Sequence, residues 1–173
     1  MNAIRPLTLA LAALLLAGCQ HTHKNHHSLP ASIKSHQGES FGTLEVNDPV
    51  FFTLIELTSP IQKLASGFDW SEGPVWMKQG GFLLFSDVPS NTVYRWKEGE
   101  SVGVFLEPSG YTGAAPRGGE PGSNGLTTDR EGRLVLCEHG DRRVGRVEKD
   151  GRHVTLADKF QGGVARRTGV SCG

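Results

Sequence analysis

The chain repeats itself at a spacing of 52 residues, and that repeat limits its architecture more than any other feature. Setting the stretch from Glu72 against the one from Asn124 pairs Gly73 with Gly125 and Gly80 with Gly132. The apolar run Phe82-Leu83-Leu84-Phe85 then falls on Leu134-Val135-Leu136-Cys137. A one-residue slip in the following turn aligns Val93 and Arg95 with Val144 and Arg146. The spacing returns with Gly99 on Gly151, Val102 on Val154 and Val104 on Leu156. A period of this size marks a supersecondary unit that stacks on its neighbours to bury its apolar face.

Each unit reads as four short strands. The first unit has Pro74 to Trp76, Phe82 to Ser86, Val93 to Trp96 and Val102 to Leu106. The second has Leu126 to Thr128, Leu134 to Glu138, Val144 to Val147 and His153 to Ala157. Turn residues separate them, with Lys78-Gln79-Gly80-Gly81 and Asp129-Arg130-Glu131-Gly132 at equivalent places, where glycine takes up positive φ readily. The 23 glycines among 173 residues, nearly twice the usual share, fit a chain with this many turns. A four-stranded meander repeated in tandem is a propeller blade, and the expected fold is all-β, a partial β-propeller. Seven or eight strands could also form the two sheets of a sandwich.

Ahead of the repeat, Arg5 and the apolar run Leu7–Ala17 read as a signal peptide over residues 1–18, the run being too short to span a membrane. It ends in Leu16-Ala17-Gly18-Cys19, a bacterial lipobox pattern that makes Cys19 the lipidation site; Gln20 behind it points to an outer-membrane lipoprotein facing the periplasm. Residues 19–40 carry His21, His23, His26, His27 and His36 and read as a polar tether, with loose divalent-metal capture as the other use of such a tract. Residues 41–71 hold a short helix, capped by Asp48-Pro49 and running to about Leu57, and a lead-in strand near Ile61–Ala65. Cysteine usage implies no disulfide framework. With 18 basic and 18 acidic side chains, no nucleic-acid partner is implied.

Glu72 and Asn124 hold the same place in the two units, just before the inner strand. Inner strands of a propeller converge on its axis, so oxygen ligands from successive blades can surround a hard cation such as Ca²⁺. A solvated acid and a turn-forming asparagine are the plainer readings. The glycine-rich stretch Ser109–Gly122 between the units reads as a mouth-capping loop or a flexible connector.

Trp70-Ser71-Glu72-Gly73-Pro74-Val75-Trp76, followed by Leu84-Phe85-Ser86-Asp87-Val88-Pro89 and by Asn124-Gly125-Leu126 through Gly132-Arg133-Leu134, resembles the gluconolactonase, senescence marker protein and luciferin-regenerating enzyme family. Cys137-Glu138-His139-Gly140 and Arg142-Arg143-Val144 bring the likeness closest to its bacterial gluconolactonase-like branch. The resemblance covers about Asp48 to Gln161. It implies a six-bladed propeller with one divalent metal at the axis, usually Ca²⁺, and hydrolysis of sugar lactones or related esters. It also implies that Glu72 is a metal ligand and that Asn124 lines the channel and contacts substrate; the general base is not identified.

The resemblance also implies a third-blade element like Asn-Ser-Pro-Asn-Asp directly after Gln161. Instead residues 162–173 read Gly162-Gly163-Val164-Ala165-Arg166-Arg167-Thr168-Gly169-Val170-Ser171-Cys172-Gly173. A frameshifted or truncated reading frame produces that pattern. The expectation is about two blades of six, residues 72–161, with little lactonase activity. The alternative is a non-catalytic, lipid-anchored fragment that binds a partner or self-associates through its open blade edges.

Overall fold

Two four-stranded antiparallel meanders account for most of the described chain. The computed structural model describes residues 29–36, 38–160 and 162–164. The signal segment 1–18, the Cys19 lipidation site, the histidines up to His27 and the tail beyond Val164 lie outside the described residues. No helix among the described residues is long and apolar enough to cross a membrane.

A lead-in layer comes first. Strand β1 (Lys34–Ser35) pairs antiparallel with β2 (Ala65–Ser66), and Ser40 bridges to Gln62. The described structure therefore includes part of the stretch assigned to the tether. His36 in particular is held by Ser66 Oγ at 2.8 Å and Glu39 at 2.7 Å. Between the two strands, Asp48 caps a short helix and accepts from Val50 N at 2.8 Å. That helix is a 3₁₀ turn over Pro49–Thr53 and stops short of Leu57. Its residues include none that are buried, so no apolar stripe holds further turns against a core.

The first blade is β3 (Ser71–Met77), β4 (Phe82–Asp87), β5 (Thr92–Trp96) and β6 (Gly103–Leu106). The second is β7 (Ser123–Thr128), β8 (Leu134–Glu138), β9 (Arg143–Val147) and β10 (His153–Ala157). A two-stranded hairpin of β11 (Lys159–Phe160) and β12 (Gly163–Val164) follows.

The pairings move the slip between the repeats. Leu84 pairs with Arg95 and Val135 with Arg146; Asp87 pairs with Thr92 and Glu138 with Arg143; Tyr94 pairs with Val104 and Gly145 with Thr155. These matches lie 51 residues apart, not 52, from β4 to β10. Asn91 and Arg142, also 51 apart, share a positive φ of 56° and 58°. The missing residue is in the first hairpin, where Asp129 N donates to Arg133 O at 3.0 Å to close a shorter turn. A one-residue slip turns a strand over. Leu84 thus corresponds to Val135, and Phe85 to Leu136.

That correspondence makes the packing head to tail, as consecutive blades require. Leu84 and Val93 of the first blade pack with Leu126, Leu134 and Leu136 of the second in one buried cluster. Each such side chain contributes about 1.5–3 kcal/mol relative to exposure. The other face of the first blade buries Phe85, Tyr94 and Val102 against Leu29, Ile33, Ala65 and Phe68 of the lead-in layer. Cys137 is buried and disulfide-bonded, where the sequence implied no disulfide framework.

Candidate functional site

The two inner strands, β3 and β7, start side by side at one end of the blade pair. Gly73 makes the approach possible. Its φ is +54°, and a Cβ there would stand 2.3 Å from Asn124 O and 2.8 Å from Leu126 N. Only glycine fits against backbone that closely. A buried hydroxyl pair adds a second tie across the blades, Ser86 Oγ lying 2.8 Å from Ser123 Oγ and donating to Asn124 O at 3.1 Å.

Glu72 and Asn124 therefore sit at matching places on adjacent strands, both half-buried. The backbones meet, but the two side chains do not bond to each other. The Glu72 carboxylate instead accepts the Trp70 indole N–H at 3.2 Å through Oε1. It borders a recess of about 310 Å³ among Phe41, Lys63, Phe68, Leu83 and Trp96, which Asn124 does not line. Phe68 meets Phe85 edge-on at 4.9 Å behind that recess. Burial in the same aromatic cluster pushes the Tyr94 hydroxyl up, so it stays neutral.

Asp87 ends β4 almost fully buried and accepts Trp70 N at 2.8 Å and Asp69 N at 3.3 Å. Sequence reasoning quoted Asp87 within a motif without giving it a role, and the same is true of Trp70. The available signal was an acid closing a run of buried apolar residues, where a charge needs donors.

The glycine-rich loop over 109–122 is fastened, not slack. Asn91 Oδ1 accepts Ser109 N, Gly110 N and Tyr111 N, and Asn91 Nδ2 donates to Tyr111 O. Thr112 Oγ1 donates to Asp141 at 2.6 Å, and Glu120 pairs with His139 at 3.3 Å. This loop delivers Ser123 and Asn124 to the start of β7.

A Ca²⁺ ion takes six to eight oxygens. Among the described residues, no three His, Cys, Asp or Glu side chains gather into a group that could hold a metal. Glu72 is one carboxylate at this end of the blades, and the described residues do not by themselves fit the ion.

The family described as the SMP-30/gluconolactonase/LRE-like region matches residues 70–168. A gluconolactonase from Zymomonas mobilis subsp. mobilis is 32% identical over 160 residues, covering 91% of this chain and 42% of that protein. An X-ray structure assigned to gluconolactonase in a structural-genomics effort superposes with a TM-score of 0.58 at 31% identity, covering 70% of this chain and 39% of its own. A gluconolactonase from Xanthomonas campestris is 33% identical, with a TM-score of 0.46 over 55% of this chain and 28% of its own. The chain thus spans well under half the length of these relatives. On the strength of the 70–168 match, it belongs to the SMP-30/gluconolactonase/LRE-like family.

Proposed function

We propose that the two blades belong to a six-bladed propeller that hydrolyses a sugar lactone or a related small ester. Family membership and the juxtaposed starts of β3 and β7 support this reading. The observation that supports it is Gly73 lying against Asn124 O, which sets the Glu72 and Asn124 positions side by side on adjacent strands. There the Asn124 amide offers both a donor and an acceptor to a polyhydroxylated ligand. The Glu72 carboxylate offers acceptors for hydroxyls or an oxygen ligand for a divalent cation, Ca²⁺ by the resemblance. Export as a lipoprotein anchored through Cys19, facing the periplasm from the outer membrane, belongs to the same proposal.

A chimera tests it: the matched stretch of the Zymomonas mobilis gluconolactonase replaced by this chain's residues. The folded chimera is expected to hydrolyse glucono-1,5-lactone, and Glu72→Gln to lower kcat/KM at least a hundredfold. A folded chimera without activity, or one indifferent to Glu72→Gln, overturns the reading. The 173-residue chain by itself is expected to add little to spontaneous hydrolysis.

Exposed apolar side chains on the blades favour a second reading, since Trp76 and Leu156 are about half exposed. A non-catalytic blade pair would cover them by binding a partner or by self-assembly, three copies imitating a six-bladed ring. Light scattering that gives a trimer mass supports this reading, and a stable monomer excludes the ring.

A further inference from the structure

We propose that Asp87 and Trp70 are positioning residues for Glu72, a relay that fixes its carboxylate before any ligand arrives. The importance of Glu72 rests on the functional reading above; the relay itself is tested without lactone. Asp87 is 3% exposed and meets its charge with main-chain donors, Trp70 N at 2.8 Å and Asp69 N at 3.3 Å. Two converging N–H groups replace the water that burial takes from the carboxyl oxygens. From the next residue, Val88 N donates to Trp70 O at 3.1 Å. The main chain of Trp70 is thus held at both its N–H and its C=O.

With the backbone fixed, the indole has a defined reach. Residues two apart along extended chain share a face, and the Trp70 indole N–H meets Glu72 Oε1 at 3.2 Å. Glu72 Oε2 takes no hydrogen bond among the described residues, which leaves it open to a ligand hydroxyl or cation.

The second blade is an internal control. Gly122 and Asn124 stand where the first blade has Trp70 and Glu72, so there is neither an indole nor a carboxylate to hold. Glu138, at the position of Asp87, turns away to Arg143 and His153. The three members of the relay occur together in one repeat, and all three are replaced in the other.

Nuclear magnetic resonance of the ¹⁵N-labelled chain reads the relay through its three indole N–H resonances. Trp70→Phe identifies the Trp70 signal. At one fixed neutral pH that signal is expected to shift in Glu72→Ala, which removes the acceptor of the indole N–H. Asp87→Asn is expected to keep the Trp96 indole signal at its folded position while the shift that Glu72→Ala produces in the Trp70 signal falls to less than half. Asp87→Ser, a smaller replacement, gives the same reading if the amide is not accommodated. A Trp70 signal whose response to Glu72→Ala is unchanged in a folded Asp87 variant overturns the proposal, as does one indifferent to Glu72→Ala. An inactive chimera with the indole response intact would instead count against the lactonase reading alone.

Discussion

The carboxylate of Glu138 crosses directly over Gly145, where a Cβ would stand 1.8 Å from Oε1. Glu138 is 1% exposed, and its pairing to Arg143 Nε at 2.5 Å and to His153 Nδ1 at 3.5 Å depends on that open path. In the first blade the corresponding residues are Asp87 and Tyr94, a shorter acid beside a ring. Gly145→Ala is expected to push Glu138 off both partners and cost about 2–4 kcal/mol, within the range for overpacking and broken buried pairs. Urea denaturation measures it. Glu138→Ala combined with Gly145→Ala should cost clearly less than the sum of the single changes; strict additivity would refute the contact.

Gly73 meets backbone where Gly145 meets a side chain, so its replacement has no soft way out. Gly73→Ala places a Cβ against Asn124 O at a φ of +54°. The blades must separate locally, and a loss of about 2–4 kcal/mol is expected from strain and lost packing together. Gly81 is the matched control, with φ +61° and nothing within 4 Å of its Cβ position. Gly81→Ala should cost only about 1–2 kcal/mol, the left-handed penalty alone. Thermal unfolding of both variants checks the pair, and equal losses would show that the inter-blade approach contributes nothing.

The repeat, the eight blade strands and the shared level of Glu72 and Asn124 were legible because turn residues and inner-strand starts recur in order. The register was not. Phe82-Leu83-Leu84-Phe85 and Leu134-Val135-Leu136-Cys137 lie in strands with both faces covered, so neither run alternates in a way that separates an offset of 51 from 52. An offset of 52 sets Asp87 against His139, whereas the pairings set it against Glu138. The relay through Trp70 was equally hidden, because it depends on which backbone groups meet a buried acid 17 residues away.

Asp129, Arg133, Arg146 and Glu148 form an ion-pair network at the opposite end of the second blade from Asn124. Hydrogen bonding from Arg146 holds the Glu148 carboxyl below its ordinary value, helped by the Arg146 and Arg133 charges against some desolvation. For Asp129, desolvation pushes upward, but main-chain and side-chain bonds from Arg133 outweigh it and leave the carboxyl lowered. Folded values below unfolded ones mean stability that is present above the ordinary carboxylate range and lost as pH falls through the depressed values. Urea midpoints are therefore expected to drop on acidification from neutral pH, and the slope to flatten in Glu148→Gln. An unchanged slope in that variant would remove the network from the account.

Asn91 organises the loop that presents Asn124. Its φ of 56° is one that asparagine tolerates better than most residues. Its side chain takes three consecutive amides, from Ser109 at 3.2 Å, Gly110 at 2.8 Å and Tyr111 at 3.1 Å, and returns a bond to Tyr111 O at 2.9 Å. The far end of the loop is tied nearby, Gly122 N donating to Val88 O at 2.9 Å and Ser123 N to Ser109 Oγ at 3.0 Å. Asn91→Ala removes every side-chain bond and adds φ strain, for an expected loss of about 2–4 kcal/mol. Asn91→Asp keeps the three-fold acceptor and loses the Nδ2 donor, so it should cost less than half as much. Asn91→Gly relieves φ without restoring any bond and should fall between them. Hydrogen exchange at Gly110 and Tyr111 separates the two causes, Ser109 N being held by the Asn91 main-chain O at 2.8 Å as well: these two amides should speed up in the alanine and glycine variants and stay protected in the aspartate variant. Protection that survives in Asn91→Ala would mean the loop is held by Asp141 and Arg117 instead, whose contacts to Thr112 and Gly140 lie on its other side.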